Sequence, residues 1–329
     1  MTATKLIVTV DTEADNQWAL GRPQTLNNLD WLPRFQSLCT RFGFKPTYLC
    51  TYEVVQSERF DRLLRPWHEQ GLAEIGAHLH PWSNPPYEMN PPNFDERPYP
   101  SELPEEMFAR KMEALTQALV AKLRQQPVSY RAGRWGFSHL QIPALLRLGY
   151  KVDSSVTPLV SWEHTKGRSK GGPDFRHAPV EPYFLDASNA RTKGDSGLYE
   201  VPVTILYTTR MIRNREGFRE WILQHRHDPL GKTLNTLFPA APQWLRPSPS
   251  MTSAKLKAVC RAATRLGLPV LVMMLHSSEL MPGGSPRLPT AESVERLVAN
   301  LGELLEYLAG NQCHGETLSE FAQHQFSSD

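Results

Sequence analysis

Lys5-Leu6-Ile7-Val8-Thr9-Val10-Asp11-Thr12-Glu13 decides the fold class. The β-branched run from Lys5 to Val10 is too short to be anything but a strand, and it runs straight into Asp11-Thr12-Glu13-Ala14-Asp15. Extended backbone sends residues i and i+2 to the same side, so Asp11 and Glu13 project together. A solvated acidic turn would have the same composition. In the functional reading, one carboxylate binds a metal ion and the other takes a proton from water.

The same spacing recurs in Glu74-Ile75-Gly76-Ala77-His78-Leu79-His80-Pro81-Trp82, a short apolar segment that ends in a polar mouth. His78 and His80 either lie exposed in a loop or converge on one metal ion. Two histidines and one carboxylate leave a coordination position open, as in catalytic rather than structural sites.

Outward from these two stretches, strand-like and helix-like segments alternate. Helical patterns are expected near 28–42, 57–70, 104–126, 139–148, 215–226, 252–266 and 290–308, and strands near 47–51, 72–77, 128–131, 150–154, 198–207 and 268–275. The clearest amphipathic stripe is Phe108, Met112, Leu115, Leu119 and Leu123, which reads as core. Alternating units with continuous apolar strands imply a parallel sheet covered by helices on both faces. No linker or internal repeat divides the 329 residues, so one domain is expected over 1–329, with irregular insertions near 83–103, 158–197 and 228–250.

The chemistry-bearing residues all follow strands. Asp11 and Glu13 end the first, His78 and His80 the third, Arg131 follows 128–131, Asp153 ends the next, and His276 follows Val270 to Leu275. In a (β/α) barrel the carboxyl ends of the strands share the face where active sites form. His276 either hydrogen-bonds backbone or protonates a leaving amine. Arg131, within Tyr130-Arg131-Ala132-Gly133-Arg134-Trp135-Gly136, could hold Asp11 ionised by proximity. Arg134 contacts substrate or faces solvent, and Trp82 and Trp135 either stack on a sugar or pack in the core.

With 36 basic and 34 acidic residues, a net charge of +2 gives no electrostatic case for nucleic acid or an anionic membrane. Cys39, Cys50, Cys260 and Cys313 have no zinc-knuckle or disulfide spacing and read as reduced thiols. Lys5 follows Met1-Thr2-Ala3-Thr4 without a signal-peptide apolar region, and the longest apolar run, Leu268 to Leu275, is far short of a membrane span. A soluble, cytoplasmic protein is therefore expected.

These motifs, from about residue 5 to residue 280, resemble the polysaccharide deacetylase superfamily, the NodB-homology domain. They look most similar to its WalW-type branch through Val10-Asp11-Thr12-Glu13-Ala14-Asp15 and His78-Leu79-His80-Pro81-Trp82. The resemblance implies a distorted, seven-stranded (β/α) barrel and one divalent metal ion, most commonly zinc. The family's first motif is Thr-Phe-Asp-Asp-Gly, with the first Asp the base and the second a ligand. Here Asp11 keeps the first place, Thr12 takes the second, and Glu13 becomes the ligand by similarity, with Asp15 a weaker substitute. The family's two histidines are four apart, whereas His78 and His80 are two apart. Arg131 to Gly136 resembles the third motif with Gly133 in place of proline, Asp153-Ser154-Ser155 matches a further segment, and Met273-Met274-Leu275-His276 gives His276 the general-acid role.

The resemblance implies metal-dependent hydrolysis of an N-acetyl amide on a carbohydrate, and so a small-molecule or glycan substrate. Asp11, His276 and Arg131 would be catalytic, Glu13, His78 and His80 the ligands, and Trp82, Arg134 and Trp135 in contact with substrate. The rivals are an amidohydrolase of the same fold acting on a cyclic imide or ureide, and a carbohydrate-binding protein that has lost catalysis. Amidohydrolases and metallophosphatases of other folds also carry His-x-His, but usually at the end of the first strand.

Overall fold

The computed structural model describes residues 5–17, 23–87, 97–169 and 171–326. Twelve strands occur among them: β1 (Lys5–Thr12), β2 (Pro46–Cys50), β3 (Glu74–Leu79), β4 (Ser129–Ala132), β5 (Val152–Asp153), β6 (Tyr183–Asp186), β7 (Asn189–Lys193), β8 (Tyr199–Glu200), β9 (Ile205–Leu206), β10 (Gln243–Trp244), β11 (Val270–His276) and β12 (His314–Gly315). Ten form one curled sheet in the order β11-β1-β2-β3-β4-β5-β8-β6-β7, with β12 beside the start of β1. The expected count of seven strands is thus too low. The run from β11 to β8 is parallel throughout, and the antiparallel β6–β7 hairpin extends it.

The sheet curls towards a barrel without closing on a strand ladder. Across the seam the Thr204 N–H donates to Val272 O at 3.1 Å, the Leu245 N–H to Thr204 O at 2.8 Å, and the Met274 N–H to Leu245 O at 3.3 Å. Short irregular segments therefore do the work of a missing strand edge.

Alternation explains the two sides of each central strand. In β1, Leu6, Val8 and Val10 pack outward under the helices, whereas Ile7 packs with Val152, Val270 and Val272 inside the curl. Thr9 and Asp11 share the inward side of Ile7. In β11, Leu271, Met273 and Leu275 likewise join the outer core, leaving Val272, Met274 and His276 inside. The helix Leu318–Phe326 plugs the bottom of the interior with Leu318, Phe321 and Ala322. Its first turn is tied down by Leu318 N–H to Thr47 Oγ1 at 3.1 Å and Ser319 N–H to Glu74 Oε2 at 3.0 Å.

Several sequence expectations change. The stretch 158–197 is not simply irregular, because it contains the β6–β7 hairpin, and 228–250 contains the helix Pro229–Leu237 and β10. The strand expected at 198–207 is two short pieces, β8 and β9. The helix expected at 57–70 is a π-helical turn, Phe60–Leu64, followed by Arg65–Glu69. Part of the insertion near 83–103, residues 88–96, lies outside the described residues. Among the described residues no helix is long and apolar enough to cross a membrane.

Candidate functional site

Register assembles the site. Asp11 in β1 pairs directly with His276 in β11, and His78 in β3 with Arg131 in β4. Neighbouring parallel strands thereby bring residues separated by most of the chain to one end of the curl. Asp11, His78 and His276 line a cavity of about 430 Å³ together with Glu13 and His80, a size typical of small-molecule sites, while Arg131 is fully buried and not part of that lining.

Glu13, His78 and His80 are all buried, and one ligand atom from each lies within 4.8 Å of the others. His80 Nε2 is 2.6 Å from Glu13 Oε2, and His78 Nε2 is 3.7 Å from the same oxygen. His78 Nδ1 sits 3.0 Å from Arg131 O. Donation of Nδ1–H to that carbonyl leaves the Nε2 lone pair facing the cluster, the usual arrangement behind a metal-binding imidazole. Burial works against ionised Glu13, yet the two histidines hold its carboxyl far below the usual range. Burial pushes His80 down to about 4, so it is neutral at physiological pH. Burial also opposes the charge on His78, but Asp11 and Glu13 outweigh it and raise that pKa. The nitrogen, nitrogen, oxygen donor set, ionised at the carboxylate and preset at His78, fits a divalent ion such as zinc. Asp15 is not part of this group. Its two oxygens accept from Thr25 N–H at 2.8 Å and Thr25 Oγ1 at 2.6 Å, fixing the following loop.

Glu13 is clamped through its backbone as well. Asn28 Nδ2 donates to Glu13 O at 2.8 Å and to Ser277 Oγ at 2.8 Å, and the Glu13 N–H reaches Ser277 Oγ at 3.2 Å.

Asp11 has a different partner. Arg131, fully buried, donates from Nη1 to Asp11 Oδ1 at 2.6 Å and to Thr9 Oγ1 at 3.0 Å. Its Nε and Nη2 donate to Ser154 O at 2.7 Å and Ser154 Oγ at 2.8 Å. Burial alone would raise the Asp11 pKa, but the Arg131 guanidinium leads the opposing charges that lower it. Asp11 Oδ2 is left towards His276, whose Nε2 is 3.7 Å away and also 3.9 Å from Glu13 Oε1.

Two residues behind His276 escaped the sequence reading. Arg246 Nη2 lies 3.1 Å from His276 Nδ1 and donates to Glu279 Oε1 at 2.8 Å, while Glu279 Oε2 accepts the His276 N–H at 2.9 Å. Glu279 is fully buried, which opposes its charge, yet Arg246 and His276 hold its pKa down at about 2. His276 and Glu279 form a capping box on the turn Ser277–Leu280. That three-residue spacing was a readable signal. Arg246 sits in an aperiodic stretch that offered none.

The expected substrate contacts divide. Trp82 lines the cavity, with its ring 4.4 Å from that of His80 and Arg97 Cζ 4.8 Å from it on centroid distances. Arg134 also lines the cavity. Trp135 borders it but is 7% exposed and packs with Val203, Ile205 and Met274, so most of the ring is core. Arg131 Cζ lies 5.1 Å from the Trp135 centroid. Asp153 is buried outside the cavity lining and accepts Ser155 Oγ–H at 2.6 Å.

Glycine at 133 has a steric reason. A Cβ there would overlap the His80 ring and come 2.5 Å from Leu79 O. Gly133→Ala is therefore expected to displace His80 and weaken metal affinity by about 10-fold or more, comparable to the loss of a ligand-orienting group. Metal titration of the variant checks this, and unchanged affinity would show that the loop gives way without moving His80.

No protein-family model matches the sequence, and no curated protein matches it. Solved structures do. The fold is similar to that of a provisionally named polysaccharide deacetylase from Mycobacterium smegmatis, at 17% identity and a TM-score of 0.52, over 99% of this chain and 92% of that one. A provisionally named glycoside hydrolase/deacetylase from Parabacteroides distasonis matches at 11% identity and a TM-score of 0.62, over 99% and 72%. An allantoinase matches at 15% identity and a TM-score of 0.50, over 99% and 90%. At these identities the likeness establishes the fold.

Proposed function

We propose that the chain is a polysaccharide-deacetylase-like hydrolase, of the WalW-type branch, that removes an N-acetyl group from a carbohydrate with the help of one zinc ion. The observation carrying this reading is the juxtaposition in one cavity of a buried Glu13–His78–His80 trio, an Arg131-paired Asp11 and His276 at 3.7 Å from Asp11. Two solved structures of similar fold, one provisionally named a polysaccharide deacetylase and the other a glycoside hydrolase/deacetylase, support it.

Glu13, His78 and His80 would hold the metal, which when bound supplies Lewis acidity towards the acyl oxygen and makes water more acidic. Asp11, kept ionised by Arg131, accepts a proton from the attacking water through Oδ2, the oxygen that Arg131 leaves open. His276, on the facing strand, delivers a proton to the departing amine, since an unprotonated amine leaves poorly. Arg246 and Glu279 orient the imidazole from its Nδ1 side. Trp82, Arg134 and the exposed edge of Trp135 border the space for the sugar.

Metal analysis of the purified protein, with acetate release from a panel of N-acetyl sugars, tests the reading. His78→Ala and His80→Ala should each strip the metal while leaving the circular dichroism spectrum intact, and full occupancy in both would remove the ligand assignment. His276→Ala should impair hydrolysis of an N-acetyl amide far more than that of an activated acetyl ester, which needs no protonation of its leaving group. Equal losses on the two substrates would reassign His276. The fold shared with an allantoinase favours including allantoin. Turnover of allantoin without acetate release would move the activity to a ureide, and sugar binding with no turnover would make the chain a binding protein.

A further inference from the structure

Four arginines, Arg97, Arg134, Arg246 and Arg287, line the cavity against three carboxylates, Asp11, Glu13 and Glu279. Each carboxylate already has its partner. Asp11 takes Arg131, Glu13 the two histidines, and Glu279 Arg246. None of the three remains to neutralise Arg134 or Arg287.

Arg134 is anchored on uncharged groups. Its guanidinium donates to the backbone oxygen of Arg97 and, at 2.7 Å, to that of Lys166, and its Cζ lies 4.2 Å from the Tyr99 ring centroid. Carbonyls and a ring face fix a guanidinium in place without cancelling its charge. The backbone at this point is unusual. Arg134 and Trp135 both have left-handed conformations, with φ of +55° and +61°. Residues other than glycine rarely adopt that region, and such positions cluster at functional sites. Arg287 comes from a different segment, after the turn Ser277–Leu280. Its side chain is exposed, and the hydrogen bond at this residue is its backbone N–H to Ser285 Oγ at 3.4 Å.

Building on the deacetylase reading of the site, we propose that its substrate is an acidic N-acylated sugar whose carboxylate or phosphate is received by Arg134 and Arg287. A guanidinium pairs with planar carboxylate and with phosphate through two parallel hydrogen bonds. A neutral glycan would meet the same cations with hydroxyl groups alone and leave their charge unanswered. In a cleft partly screened from solvent, that difference is amplified.

The test compares N-acetylglucosamine, its 6-phosphate and N-acetylmuramic acid as ligands of the metal-loaded protein, followed by tryptophan fluorescence and calorimetry. One or both acidic sugars should bind at least about tenfold more tightly than the neutral one, and that advantage should shrink as salt is added. Which of the two leads identifies the acid group. In the R134Q/R287Q variant, at unchanged metal content, the preference should fall to about parity. R287Q alone, at an exposed side chain, should already reduce it, so a folding defect in R134Q would not blur the result. Equal binding of all three sugars would overturn the proposal, as would an anionic preference that survives in both variants, because the anion would then be held elsewhere. Binding is read without turnover. Acidic sugars that bind preferentially but release no acetate would therefore sink the deacetylase reading and leave this one standing, whereas acetate release without charge preference would do the reverse.

Discussion

Asp11→Asn should keep its metal and its fold while turnover falls by about 10²- to 10⁴-fold, the usual effect of removing a general base. The amide is nearly the same size as the carboxylate, and Asn Oδ1 can still accept from Arg131 Nη1, where the Asp11 contact is now 2.6 Å. It cannot accept the proton from water. Because the metal trio is built from Glu13, His78 and His80, metal content should not change. Loss of metal together with activity would make Asp11 a ligand and require the base to lie elsewhere. Rate and metal stoichiometry, measured on the same preparation, separate the two outcomes.

Arg131→Met should cost stability as well as activity. The guanidinium is fully buried and donates to Asp11, Thr9 and Ser154. Its removal strands a buried carboxylate and several acceptors. Breaking one side of such a pair typically costs about 3–5 kcal/mol. Asp11 would then lose the charge that keeps its pKa below the ordinary value. Folded carboxylates with depressed pKa stabilise above the unfolded pKa and lose that contribution as pH falls through the folded one. The variant should consequently recover part of its deficit on acidification, when Asp11 can protonate. Urea unfolding at neutral and mildly acidic pH measures both effects, and a constant deficit across that range would show that packing, rather than charge, dominates. In the double variant with Asp11→Asn the loss should be smaller than the sum of the two, since the charges answer each other.

The candidate site was largely legible because its residues sit on, or one residue past, apolar strands whose ends are marked by polar side chains. Asp11 and Glu13, and His78 and His80, needed nothing beyond the two-residue period of an extended chain. Register was not legible. Nothing local says that Asp11 faces His276, since strand order is set by how helices cover the sheet. Strands of two residues, such as β5 and β8, carry no period at all. The β6–β7 hairpin went unread because β7 is mostly exposed and polar. The helix Pro229–Leu237 went unread because the several prolines of 228–250 made that stretch read as irregular, and its stripe of Leu230, Leu234 and Leu237 does not become core, with Leu230 and Leu237 at 61% and 63% exposure. By contrast, Leu318, Phe321 and Ala322 of the terminal plug do lie on one helical face, a pattern present in the sequence and passed over.

The pairing of β1 with β11 also sets an order of events during synthesis. All three candidate ligands have emerged by residue 80, but His276 follows 196 residues later (276 − 80). At about 5–20 residues per second, that gap lasts roughly 10–40 s. Throughout it, one edge of β1 has no neighbour, and Ile7 waits for Val270, Val272 and the terminal plug to cover it. A nascent chain at that stage offers an open apolar strand edge, the kind of surface that recruits chaperones or other chains. Ribosomes stalled before residue 270 should accordingly carry a product that is already equipped with its metal-binding side chains and is nonetheless prone to aggregate.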